Sequence, residues 1–203
     1  MEIVLKQLQN KGIKLNNLHT VEVFGRTGEW HTKVYADKVK SLEIWEIDSE
    51  WKKQLKKNFP NAKIRIIDSI KLINESTNLP KYDFIIVDNP QNLFRSTKLR
   101  ARYCEHFEVL TKIDRLIDNY GIIVFNVNPK PFDYEKWPLW KKRREDFYNI
   151  NNTEEIEINF LTNFYVQFFN NIGLKTIFHF YVKRLTPNPK ETIYYFTYFL
   201  TKK

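Results

Sequence analysis

Glycine is scarce in this chain, at five of 203 residues, well under the roughly 7% of an ordinary protein. Two of the five, Gly25 and Gly28, fall within four positions. A chain so sparing of glycine places such a pair where the backbone must turn tightly or come close to a ligand. Cysteine is scarcer still. Cys104 stands alone, which excludes an internal disulfide and a cysteine-based zinc site. No run reaches the roughly 18 apolar residues that a membrane span needs. The opening MEIVLKQLQNKG lacks the unbroken apolar stretch of a secretion signal, so a cytoplasmic location is expected. Neither a repeat of roughly 20–50 residues nor a Ser/Gly/Pro-rich linker divides the chain. A single domain over 1–203 is expected, with an N-terminal helix within 1–18 and a lid or substrate insert at 129–150.

What is present is apolar and aromatic. Hydrophobic residues make up 42% of the chain and aromatics 16%, which excludes a disordered tail and implies a packed core. Basic residues outnumber acidic ones 33 to 24, a formal charge of +9. That surplus favours an anionic partner, whether nucleic acid, phosphorylated metabolite or membrane surface.

The pattern alternates between strand and helix. A short helix over 2–11 precedes the strand TVEVF (20–24), which stops at Gly25. A short helix at 31–38 leads to SLEIWEI (41–47), and Ser49 caps a lysine-rich helix running to about Asn58. AKIRII (62–67) is a third strand, followed by a helix to about Glu75 capped by Asp68 or Ser69. KYDFIIV (81–87) and GIIVFNV (121–127) are continuous and apolar, as in strands buried on both faces. Between them, 97–119 reads as one long helix with Tyr103, Phe107, Leu110, Ile113, Leu116 and Ile117 along one side. A Pro/Trp-rich segment (129–140) and a helix over about 153–171 lead to two aromatic strands, 175–182 and 192–200. This order predicts a Rossmann-like three-layer α/β/α sandwich: a mostly parallel, seven-stranded sheet with a C-terminal antiparallel hairpin.

Ligands of open α/β sheets bind outside the carboxyl ends of the strands, and four successive strands here end in acid. Glu22 precedes the loop Phe24-Gly25-Arg26-Thr27-Gly28, where Glu22 could receive a cationic amine; a tight turn with Glu22 in a surface ion pair explains the pattern as well. Glu46, 21 positions beyond Gly25, suits a ribose diol, since a carboxylate can accept from both hydroxyls. Asp68-Ser69 follows strand three and reads equally as a helix cap. Asp88-Asn89-Pro90-Gln91 closes strand four.

On VEVFGRTG, EIWEID, IRIIDS and YDFIIVDNPQ at these intervals, the chain resembles the class I S-adenosylmethionine-dependent methyltransferases of small bacterial type. The resemblance covers nearly the whole chain, and in that family the last strand inserts antiparallel between strands five and six. It implies that Glu22, Phe24, Gly25, Thr27 and Gly28 hold the methionine part of the cofactor, and that Glu46 holds the ribose with Ile47 against adenine. Asp68 and Ser69 would contact adenine, and Asp88 and Asn89 would lie beside the transferred methyl. Two departures stand out. Arg26 replaces the middle glycine of the loop, and Gln91 lacks the aromatic face that would stack a flipped nucleobase.

The acceptor side is read from residue chemistry. His106 has the side chain to remove a hydroxyl proton, catalysing alongside Asp88, and His31 is a second candidate base. Each histidine could equally be a helix residue bonded to a neighbour. Basic stretches at Arg95, Lys98, Arg100 and Arg102 and at Lys141, Lys142, Arg143 and Arg144 could grip a phosphorylated or nucleotide-linked acceptor, or form solvated helix faces. Trp137, with Trp140, could line a lid or anchor the loop. Gln91, Arg95, Trp137, Arg143, Arg144 and His31 are thus the candidate acceptor contacts. The expectation is methyl transfer from S-adenosylmethionine to a small, anionic or sugar-type acceptor, O-methylation favoured and no metal required. The rivals are an RNA methyltransferase and an inactive cofactor-binding scaffold.

Overall fold

The computed structural model describes residues 1–29, 31–88, 106–130, 134–135, 138–185 and 192–203. The elements in order are α1 (Glu2–Asn10), β1 (His19–Val23), α2 (Thr32–Tyr35), β2 (Ser41–Glu46), α3 (Lys52–Asn58), β3 (Lys63–Ile66), α4 (Ser69–Glu75) and β4 (Phe84–Val87). After the gap come α5 (Phe107–Leu110), β5 (Tyr120–Val127), α6 (Pro138–Tyr148), α7 (Ile158–Asn171), β6 (Leu174–Lys183) and β7 (Tyr194–Lys202).

The seven strands form one sheet in the order β3-β2-β1-β4-β5-β7-β6. The first five are parallel, and β7 runs antiparallel between β5 and β6. This is the three-layer arrangement and closing hairpin expected from the strand pattern.

Alternation along each strand sends neighbouring side chains to opposite layers. Val21, Val23, Ile85, Val87, Ile123 and Phe125 face one layer, packed with α4, α5, α6 and α7. Ile44, Phe84, Ile86, Ile122, Val124 and Tyr195 face the other, against Val4, Leu5 and Leu8 of α1, Tyr35 of α2 and Leu55 of α3. Glu22 falls between Val21 and Val23, so its side chain points into this second layer. Among the described residues no helix is long and apolar enough to cross a membrane.

One expectation is corrected. Residues 97–105 lie outside the described residues, but the remainder of the anticipated long helix is broken. The α5 turn ends at Leu110, a 3-10 turn covers Ile113–Leu116, and Ile117 is extended. Its apolar residues are buried as the periodicity required, yet tertiary hydrogen bonds claim the backbone. The Tyr82 N–H donates to the Leu116 carbonyl at 2.8 Å, and the Arg115 guanidinium donates to the carbonyls of Ile73, Asn74 and Ser76. Within the 129–150 segment, α6 takes in the basic run Lys141–Arg144, the helix alternative for that run. Pro138 starts it, where a missing N–H costs nothing.

Candidate active site at the carboxyl edge of the sheet

The loop after β1 is built under strain. Phe24 (φ 73°) and Arg26 (φ 45°) both hold left-handed backbone without being glycine, a conformation that costs on the order of 1–3 kcal/mol each. The loop is held by its neighbours. The Gly25 N–H donates to the Trp45 carbonyl at 2.9 Å, the Arg26 N–H to Glu46 Oε2 at 2.6 Å, and Asn58 Nδ2 to the Thr27 carbonyl at 2.9 Å. The two glycines answer to packing as well. A Cβ on Gly25 would sit 2.1 Å from Ile44 Cγ2, and one on Gly28, where φ is +66°, 2.2 Å from the Phe59 ring. The Arg26 guanidinium lies over the Trp51 ring, 5.8 Å from its centroid.

Glu22 is 4% exposed. Thr32 Oγ1 donates to its Oε2 at 2.6 Å, and burial pushes its carboxyl up to about 8, with the Thr32 and Tyr35 hydroxyls opposing. At neutral pH the group is largely protonated, in a position where a cation would convert it to carboxylate. Glu46 is also buried, which raises its carboxyl; besides Arg26, it accepts from the Asp48 N–H through Oε1 at 2.8 Å. Ile47 beside it is 38% exposed. Asp68 Oδ1 accepts from the Lys71 N–H at 3.0 Å and so caps α4, while Ser69 is buried.

Asp88, buried just past β4, gathers three side chains from distant parts of the chain. His31 Nε2 lies 3.3 Å from its Oδ2, Arg184 Nη1 3.4 Å from its Oδ1, and the Tyr195 hydroxyl donates to Oδ2 at 3.2 Å. The His31 ring meets the Tyr195 ring edge-on, with centroids 5.3 Å apart. Burial draws the imidazole down to about 4, against the pull of Asp88, so His31 is neutral at neutral pH. Arg184 and Tyr195 escaped the sequence reading. They stand at the neck of the last hairpin, and Tyr195 is one tyrosine in the run TIYYFTYFL; only the pairing of β7 with β5 brings them to Asp88.

His106 does not join this cluster. It is 0% exposed, packed on Phe125 and Tyr165 in the opposite layer, with Nε2 2.6 Å from the Tyr165 hydroxyl. Burial, reinforced by the Arg144 charge, draws it down to about 3. The structure thus places His106 in the core beside Phe125 and Tyr165, apart from Asp88 and the acidic edge. Arg143 and Arg144 are likewise held by protein groups. Arg143 pairs with Glu108, and Arg144 is fully buried, donating to the Asn128 carbonyl at 3.1 Å. Both guanidiniums are engaged within the protein, so the stretch lends no support to a phosphate or RNA grip. Trp140 is buried and anchors α6. Asn89, Gln91, Arg95, Lys98, Arg100, Arg102, Cys104 and Trp137 lie outside the described residues. A cavity of about 450 Å³ lined by Phe107, Glu108, Thr111, Arg143, Asp146 and Phe147 opens on the α5–α6 face.

No family model matches the chain, and no curated protein does. Solved structures do. The N-methyltransferase NodS from Bradyrhizobium japonicum WM9 superposes with a TM-score of 0.58 at 10% identity, over 100% of this chain and 94% of that one. A TehB-like SAM-dependent methyltransferase from Corynebacterium glutamicum gives 0.52 at 13%, over 97% and 86%. M. jannaschii TYW2 in complex with AdoMet gives 0.55 at 14%, over 100% and 77%. At such identities the likeness is one of fold, and the fold is that of the class I methyltransferases.

Proposed function

We propose that this chain is an S-adenosylmethionine-dependent methyltransferase acting on a small acceptor. The observation that carries the reading is the acidic edge itself: Glu22, Glu46, Asp68 and Asp88 close four neighbouring parallel strands, and Glu22 is a buried carboxyl awaiting a cation. The residues present suit the cofactor. Glu22 would receive its α-ammonium, with Phe24, Gly25, Thr27 and Gly28 forming the wall of the methionine site. Glu46 keeps lone pairs for the ribose hydroxyls beyond those used by Arg26 and Asp48, and exposed Ile47 offers adenine an apolar shelf. Asp68 and Ser69 border the same side. When bound, the cofactor supplies an electrophilic methyl and leaves as a neutral thioether.

The protein's own contribution is positioning and proton handling. His31, neutral and backed by Asp88, is the base for an acceptor hydroxyl. Asp88 orients the ring and would stabilise the imidazolium formed, as a buried carboxylate does for a catalytic histidine elsewhere. The inactive-scaffold reading loses ground because the loop adopts its turn with Arg26 in place, its cation directed onto Trp51.

Calorimetric titration with S-adenosylmethionine and S-adenosylhomocysteine tests the reading. Both should bind, and Glu46→Ala should weaken both by about tenfold or more, roughly 1.4 kcal/mol. Absence of binding to the wild-type chain would refute it.

A further inference from the structure

Arg184 is the one guanidinium among the described residues that reaches the acidic cluster at the end of β4, and the cofactor as placed above makes no use of it. Its position is fixed: the Arg184 N–H donates to the Ile193 carbonyl at 2.7 Å, closing the neck of the last hairpin. The side chain is 14% exposed and lies over the Tyr195 ring, 5.8 Å from its centroid, a cation–π contact that sets the direction of the fork.

The fork is under-used. Charge-assisted N–H···O bonds close to about 2.7–2.9 Å, and arginine prefers to make two in parallel. Arg184 reaches Asp88 through Nη1 alone, at 3.4 Å. The geometry cannot tighten readily, because Asp88 Oδ2 already serves Tyr195 and faces His31. Arg184 therefore keeps donors that no described group takes, on a side chain 14% exposed, where a ligand can reach them.

Its place on the sheet decides what it addresses. Glu22, Glu46 and Asp68 occupy the β1, β2 and β3 side of the edge, whereas Arg184 arrives from β6 across β7 and β5. We propose that Arg184 anchors the acceptor and that the acceptor carries a carboxylate, taken bidentately by the fork that now half-engages Asp88. A monocarboxylate fits better than a phosphate. The described cluster offers one guanidinium, burial weakens the Met1 ammonium beside Asp88, His31 is neutral at neutral pH, and Asp88 would repel a dianion. The inference rests on the methyl-transfer reading, since it takes the cofactor to fill the other half of the edge.

The test uses the full chain saturated with S-adenosylhomocysteine and titrated calorimetrically with benzoate and acetate, against benzamide and inorganic phosphate. Saturable binding of at least one acid is expected in the millimolar range, with benzamide and phosphate weaker. Arg184→Met should weaken the acid by about tenfold or more and leave the nucleoside product's affinity unchanged. Arg184→Lys, which keeps the charge but not the fork, should fall between. Lys183→Met, removing an exposed neighbouring charge, should change neither. Carboxylate binding that survives Arg184→Met, phosphate binding as tight as carboxylate, or no saturable carboxylate binding would overturn the inference while product binding stands. Failure of the product to bind would instead sink the methyl-transfer reading, and this inference with it.

Discussion

The backbone N–H of Arg26 donates to Glu46 Oε2 at 2.6 Å, so the carboxylate that closes β2 also ties down the loop that closes β1. That bond holds Arg26 at φ 45°, where glycine would sit without strain. The same carboxylate is proposed to receive the ribose, so one group shapes the cofactor loop and also binds its ligand.

Arg26→Gly should therefore stabilise the free protein. Relief of left-handed strain is worth about 1 kcal/mol, offset in part by loss of the contact with Trp51. Differential scanning calorimetry should show a higher Tm for Arg26→Gly and a lower one for Glu46→Ala. An Arg26→Gly protein less stable than wild type would mean that the Trp51 contact outweighs the strain.

Both glycines of the loop were legible as special positions, but the reason was not. Gly25 and Gly28 are required by Ile44 and Phe59, residues of β2 and of the turn after α3, and no local pattern announces a collision between distant elements. Hence Gly28→Val is a poor probe of the cofactor site, since it would disturb Phe59 whether or not a ligand binds. The mostly parallel sheet with its closing hairpin was legible because strands alternate with helices until the last two strands. The break after Leu110 was not, because the apolar spacing of 107–117 suits a helix and a 3-10 turn alike. Arg184 and Tyr195 were invisible for a related reason: their role exists only in the pairing of β7 with β5.

Among the described carboxyls and imidazoles, Glu22, His31 and His106 carry the large shifts that shape the pH profile of stability, beside smaller ones at Glu43, Glu46 and His179 and at the Met1 ammonium. His31 and His106 fall to about 4 and about 3 in the folded state from 6.5, so stability is lost as pH drops below 6.5, where the unfolded chain binds the extra protons. Glu22 rises to about 8 from 4.5, so its contribution is lost as pH climbs through that interval. Their combined stability contribution peaks near pH 6.5, and between there and pH 8 Glu22 alone removes about 2 kcal/mol. Denaturant titrations at pH 6.5 and 8 should show this decline in wild type and its absence in Glu22→Gln. Titration with S-adenosylmethionine near pH 6.5, repeated in buffers of different ionisation enthalpy, should further register release of about one proton, missing in Glu22→Gln.

His106→Asn should act on stability. Removing the buried ring takes one hydrogen-bond partner from the Tyr165 hydroxyl, which keeps Tyr148 at 2.8 Å, and opens space beside Phe125, at a cost of about 1–3 kcal/mol. Tm should fall while S-adenosylmethionine affinity holds below the transition. A normal Tm combined with a large loss of turnover would return His106 to the reaction.

His31→Asn should lower kcat by about 10²–10⁴, the usual weight of a general base, with cofactor affinity nearly intact. Asp88→Asn should lower kcat as well and, unlike His31→Asn, should loosen Arg184 and Tyr195. Hydrogen exchange at the neck of the last hairpin would report that loosening. A His31→Asn enzyme with full turnover would show that the acceptor needs no base there.

Asp88 and Tyr195 touch across 107 positions of chain, and Tyr195 belongs to β7, the strand that seals the free side of β5. On a ribosome adding roughly 5–20 residues per second, on the order of ten seconds separate the two residues. From the synthesis of β5 until β7 emerges, the nascent sheet presents Ile122 to Val127 as an open edge, the kind that recruits foreign strands. The same late event covers the edge and gives Asp88 its hydroxyl donor, so the cluster cannot assemble on a chain that has emerged only as far as β6.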